Sequence, residues 1–227
     1  MTDAARRTLP LLIAFAIGLI AIGLFRGATL NVESMASYSS LPTLAFIGLT
    51  AFVAIRLTHG PMTWRDIGVT LPFRPLEHVA LGLGGAAAII IAGEALEPLW
   101  LTVFGETRNL TRFDAATTLP GLMAFLALSW TFAAVGEEIA FRAVLMRGLK
   151  VALGGGAVTT AVVLFVQAGV FGLVHFYQGP AGIAATTVSG LIFGIVVLLA
   201  RGAIWPAMLA HGFGNTYGLV SLYLESG

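Results

Sequence analysis

Long apolar runs separated by short polar stretches dominate this 227-residue chain. A membrane-crossing helix needs roughly 20 mostly apolar residues. The pattern yields about seven such segments, near residues 8–25, 38–56, 78–101, 119–146, 155–176, 181–200 and 203–223. No polar stretch between them is long enough to bury a core of its own. The expectation is one integral membrane domain over residues 1–227, an all-α polytopic bundle of about seven to eight spans. The 119–146 segment is longer than a bilayer requires, so it tilts or projects. Gly154-Gly155-Gly156 is a natural break between the fourth and fifth segments. Small residues recur on both sides of the next connection, at Ala168, Gly169, Gly172, Gly182, Ala184, Ala185, Gly190 and Gly194. They predict close helix contact there.

Composition agrees. Hydrophobic residues make up 58% of the chain and charged residues 10%, against about 25% charged in soluble domains. The absence of cysteine excludes disulfides and thiolate metal sites. A formal net charge of +1 offers nothing to a nucleic-acid partner. Arg6 and Arg7 precede the first apolar run as in a signal peptide. That run is long for a signal core and shows no clear cleavage site, so an uncleaved first span is expected. With the N-terminus cytoplasmic, Arg6, Arg7, Arg56, Arg65, Arg74, Arg142, Arg147, Lys150 and Arg201 fall on or near the inner side. Only Arg26, Arg108 and Arg112 fall outside, which satisfies the positive-inside bias. One lysine against eleven arginines, with abundant Ala and Gly, points to a GC-rich bacterial genome and hence a bacterial cytoplasmic membrane.

Against this background Glu137 and Glu138 stand out. The run Leu119–Gly136 carries no charge, and then two glutamates are followed one turn later by Arg142. An ionised side chain at membrane depth costs at least ~2.5–3.5 kcal/mol, so these residues are functional candidates. Glu138 and Arg142 are spaced i,i+4 and can pair on one helix face. Glu137 points about 100° away and is the carboxylate left for chemistry. The same spacing also fits one structural network of all three residues with no reaction, and the two readings stay open at this point. Of four histidines, His59 and His78 fit ordinary interfacial positions, whereas His175 and His211 lie in or near the ends of apolar segments. His211 and Asn215 share a face at i,i+4, as do Phe171 and His175. A glutamate, two imidazoles and an amide can activate a water, with or without a metal, and stabilise an oxyanion. In depth, Glu137 and His211 match, while His175 lies too far toward the opposite side.

Three motifs occur in order: Glu137-Glu138-Ile-Ala-Phe-Arg142 (EExxxR), Phe171-Gly-Leu-Val-His175 (FxxxH) and His211-Gly-Phe-Gly-Asn215 (HxxxN), with Trp205-Pro206 before the last. Over about residues 119–218 the chain resembles the CPBP intramembrane proteases, the family of type II CAAX prenyl endopeptidases and of bacterial Abi-type and bacteriocin-immunity proteins. The resemblance implies a membrane-embedded active-site cavity and hydrolysis of a peptide bond in a membrane-associated peptide or protein. It implies that Glu137 and His175 activate the attacking water, that His211 and Asn215 bind the oxyanion or complete a metal site, and that Glu138, Arg142 and Phe171 organise the site. A divalent metal such as zinc, held by Glu137, His175 and His211, is a second option within the resemblance. Ala143 stands where many members carry glycine, and nothing marks the chain as acting on prenylated tails. Two other classes compete. One is a non-catalytic partner-binding or immunity protein on the same fold, which would not need the whole Glu137, His175, His211 and Asn215 set. The other is a proton-coupled transporter, against which stands the lack of an internal repeat. Oligomeric state is beyond the sequence.

Overall fold

The computed structural model describes the backbone of residues 3–29, 65, 68–69 and 74–227, and their side chains apart from 3–7 and 22–29. The described residues are helical, with no strand among them. The expected segment 38–56 lies outside them. The helices are α1 (Asp3–Thr29), α2 (Pro75–Phe104), α3 (Leu119–Leu128), α4 (Arg147–Ala152), α5 (Ala157–Leu173), α6 (Gly179–Leu199) and α7 (Trp205–Glu225). Three continuous stretches are long and apolar enough to cross a membrane: Pro75–Phe104, Leu119–Ala152 and Phe176–Leu199. Helices also cover the expected segments 8–25, 155–176 and 203–223. Their apolar stretches are shorter (Thr8–Ala21, Ala157–Leu173) or, in α7, more polar.

Local chemistry sets the ends. Pro75 opens α2 with Glu77 in its first turn, and the helix closes on Gly105 in the left-handed region, φ 72°. The Thr118 hydroxyl accepts from Gly121 N–H at the start of α3. Gly154, Gly155 and Gly156 all have positive φ and form the expected break before α5.

The stretch joining α3 to α4 departs from the sequence expectation. Ser129–Glu137 and Ile139–Met146 are wound as π-helix, and Arg147 N–H bonds back to Arg142 O, five residues away. Such wide turns are rare and frequent at functional sites. Here they carry both glutamates and Arg142.

Helix α7 packs against α2 and against Ser129–Glu137, while α5 packs against α6. The small residues explain the α5–α6 approach. A Cβ on Gly172 would lie 2.6 Å from Ile183 O, and one on Gly190 would lie 3.2 Å from Ala168 Cα. Gly169, by contrast, faces open space. The main core joins Phe15 of α1 with Phe141, Val144, Phe171, Phe193, Val196, Ile204 and Ala207. The motif segments converge on this core.

Candidate active site

Glu138 and Arg142 form the pair their spacing predicts. Arg142 Nη1 donates to Glu138 Oε1 at 2.8 Å, and both side chains are fully buried. Arg142 Nη2 donates to Gly190 O of α6 at 3.0 Å. Its guanidinium carbon lies 4.6 Å from the Phe171 ring centre and 4.8 Å from that of Phe193. Aromatic faces attract a cation, more strongly when it is desolvated. The arginine is thus fixed by charge, by a carbonyl and by two rings.

The sequence did not reveal that Glu138 serves two partners. His211 Nδ1 lies 2.9 Å from the same Oε1. A carboxylate oxygen bonded to Arg142 accepts, so Nδ1 carries the hydrogen and Nε2 is the acceptor nitrogen of a neutral ring. That Nε2 lies 3.9 Å from Glu137 Oε2. The two glutamates therefore grip opposite edges of one imidazole, rather than facing away from each other as the simple α-helical projection implies. Glu137 Oε2 is buried with no hydrogen-bond partner among the described residues.

His211 sits about 9 Å into α7, six residues after Trp205. It stacks on Phe193 at 4.6 Å between ring centres, and Phe171 meets it edge-on at 6.0 Å. Trp130 holds the next turn. Its Nε1 donates to Thr216 Oγ1 at 3.1 Å, and its ring fills the place a Cβ on Gly212 would take. Asn215 is half-buried, one turn beyond His211.

His175 lies just past the end of α5, in the turn before α6. Its Nδ1 donates to Phe171 O at 2.7 Å, and its ring lies 4.8 Å from that of Phe171. Phe171 thus touches both histidines and Arg142, and its ring spans the depth mismatch read from the sequence.

Two network members escaped the sequence reading. Gln167 is fully buried, and its Nε2 donates to Gly190 O at 2.9 Å, so that carbonyl takes both Gln167 and Arg142. The signal was present: Gln167 is the only polar residue from Ala161 to Val174 and lies four before Phe171.

For a metal, the donors were tested as they stand. An open zinc site takes three protein ligands. Among the described residues no three His, Asp or Glu side chains form such a set. Glu137 and His211 face each other, but Glu138 Oε1 is already taken by Arg142 and His211. The trio Glu137, His175 and His211 is not assembled as a ligand set, and no chemical step is routed through a metal below.

No curated protein and no solved structure matches the chain. One family model does: residues 119–217, under half the chain, match type II CAAX prenyl endopeptidase Rce1-like. The match begins at the first residue of α3 and ends within α7, so it contains all three motifs and every contact described above. Through this segment the chain belongs to the CAAX/CPBP protease family, and its three apolar spans make it an integral membrane member.

Proposed function

We propose that this protein is an intramembrane endopeptidase that hydrolyses a peptide bond of a membrane-associated peptide or protein, using a water activated by Glu137. The observation that carries the proposal is the pairing of Glu137 Oε2 with His211 Nε2 at 3.9 Å, with Nδ1 of the same ring committed to Glu138. Two acceptors at that separation cannot bond each other. A water about 2.8 Å from each would subtend about 90° at its oxygen, close to its own bond angle. Such a water gives one hydrogen to each acceptor and presents a lone pair for attack.

The steps then balance without a further reagent. Glu137 takes a proton from the water as its oxygen bonds to the carbonyl carbon. The Asn215 amide, on the His211 face of α7, is the donor assigned to the developing oxyanion. Glu137 returns the proton to the amide nitrogen as the C–N bond breaks, leaving a carboxylate and an amine. His175 is the second imidazole of the site. With Nδ1 turned to Phe171 O, its Nε2 is the acceptor nitrogen. Glu138 and Arg142 act through His211 by fixing its tautomer and orientation.

The test is cleavage of a peptide library by purified, detergent-solubilised protein beside Glu137→Gln, each with and without a chelator. Cleavage by the wild type and loss in the variant is the expected result, and the chelator arm separates a metal-bound from a glutamate-activated water. Full cleavage by Glu137→Gln sinks the assignment of the base. Equal inactivity of both proteins would move weight to the partner-binding reading.

A further inference from the structure

A second polar site lies at the end of the bundle where the basic residues gather. A cavity of about 330 Å³ is lined by Arg65, Arg74, Arg147, Arg201, Glu77 and His78, together with backbone of the α6–α7 turn. Four guanidiniums face one carboxylate, and that carboxylate already pairs with Arg74 at 3.3 Å. The groups come from separate parts of the chain. Arg74, Glu77 and His78 lie at the start of α2, Arg147 at the start of α4 and Arg201 in the α6–α7 turn, with Arg65 in the segment before α2. The segment is tied in by Ile204 N–H, which donates to Gly68 O at 3.1 Å. A side chain at Gly68 would come within 3.1 Å of Arg147 Nη1, so this arginine lies directly on the backbone wall.

Two further observations point to a ligand rather than to a merely basic surface. First, Arg201 occupies the left-handed region, φ 55°, and is the one described non-glycine residue with positive φ. Arg201 N–H bonds to Leu198 O and Gly202 N–H to Val197 O, the two bonds of a Schellman helix end. Glycine or asparagine takes that position with less strain, so the arginine is present for its side chain. Second, His78 Nδ1 is buried without a hydrogen-bond partner among the described residues. A buried ring nitrogen of this kind calls for a partner, and it belongs to a residue that lines the cavity. The positive end of the α2 dipole adds to the same field.

We infer that this cavity binds a phosphate group. Several guanidiniums arriving from different directions suit a tetrahedral oxyanion better than the single fork of a planar carboxylate. Basic pockets between helices at a membrane face bind lipid headgroups, and the bilayer is the nearest source of phosphate. The site lies apart from the Glu137–His211 pair and does not depend on the proposed reaction.

The test is native mass spectrometry of the full chain in detergent, titrated with dioleoylphosphatidylglycerol or dioleoylphosphatidylcholine. The variants are Arg201→Gly, Arg74→Ala with Arg201→Gly, and Arg108→Ala in the distant loop as a charge-matched control. Arg201→Gly suits the φ of its position, so its melting temperature should match the wild type. The wild type should prefer the anionic lipid. Each cavity arginine removed should weaken that binding about fivefold, and Arg108→Ala should leave it unchanged. Competition by millimolar glycerol phosphate would assign the source to soluble phosphates, and its absence to the lipid; either supports a phosphate site. Wild-type anionic-lipid binding by both cavity variants would overturn the proposal. So would displacement by a peptide with a free C-terminal carboxylate but not by phosphate.

Discussion

Removing one partner of the Glu138–Arg142 pair should cost far more than removing both. In Arg142→Met the Glu138 carboxylate stays fully buried with only His211 Nδ1–H to hold it. Breaking a buried pair in this way costs about 3–5 kcal/mol, because a charge is left uncompensated. Gly190 O adds little, since Gln167 Nε2 still donates to it at 2.9 Å. Glu138→Gln leaves the opposite problem, a buried guanidinium with two aromatic faces but no ionised partner, and should cost a similar amount. The double variant has neither stranded charge. Its loss should fall below the sum of the singles by about 2–3 kcal/mol, at the upper end of measured pairwise couplings. The assay is reversible unfolding in mixed micelles by denaturing detergent, followed by tryptophan fluorescence for all four proteins. If the double variant's loss equals the sum of the singles within about 0.5 kcal/mol, the two residues are not an energetic unit.

Three other outcomes follow from the packing and the site. Glu137→Gln should lower hydrolysis by about 10²–10⁴-fold, the usual worth of a general base, with an unchanged unfolding midpoint, because Glu137 Oε2 has no hydrogen bond to lose. Gly172→Ala should destabilise by about 1–3 kcal/mol as an overpacked contact, since its Cβ meets Ile183 O at 2.6 Å, whereas Gly169→Ala meets nothing and should be neutral or gain up to about 1 kcal/mol; melting temperatures of the two separate these results. Gln167→Leu removes a buried donor while Arg142 still serves Gly190 O, so unfolding measurements should show a loss of only about 1 kcal/mol.

Periodicity and one spacing rule carried much of the reading. Glu138 and Arg142 could be paired from i,i+4 alone, since that contact is local to one helix. The close α5–α6 approach was legible as well, because small residues have few other uses in apolar helices. The shared Oε1 between Arg142 and His211 was not legible. It joins residues 73 apart in the chain and depends on how α7 docks against Ser129–Glu137, with Trp130 lying over Gly212. Nor were the π turns, whose run from Ser129 to Met146 has no proline and only one glycine, Gly136, to mark it. Those turns displaced the simple 100° projection that set Glu137 away from its neighbour. Gln167 was passed over because attention went to ionisable groups, although a lone amide in an apolar helix carries the same demand for a partner.

The contacts form an ordered chain across four elements. Gln167 of α5 and Arg142 share the Gly190 carbonyl of α6, Arg142 holds Glu138, Glu138 holds His211 of α7, and His211 faces Glu137. Each link restricts the next. Gly190 O has two lone pairs and both are taken, so the guanidinium cannot rotate without stranding a donor. Glu138 Oε1 in turn receives both Nη1 and Nδ1, which fixes the tautomer of His211. The nitrogen turned toward Glu137 is therefore an acceptor by construction. Adjacent carboxylates would repel if both were left bare in an apolar segment. Here one is neutralised by Arg142 and spent on orientation, and only the other keeps a buried oxygen for chemistry. That division explains why two glutamates side by side serve the site where one would not: a lone carboxylate could hold the imidazole or take the water's proton, but not both.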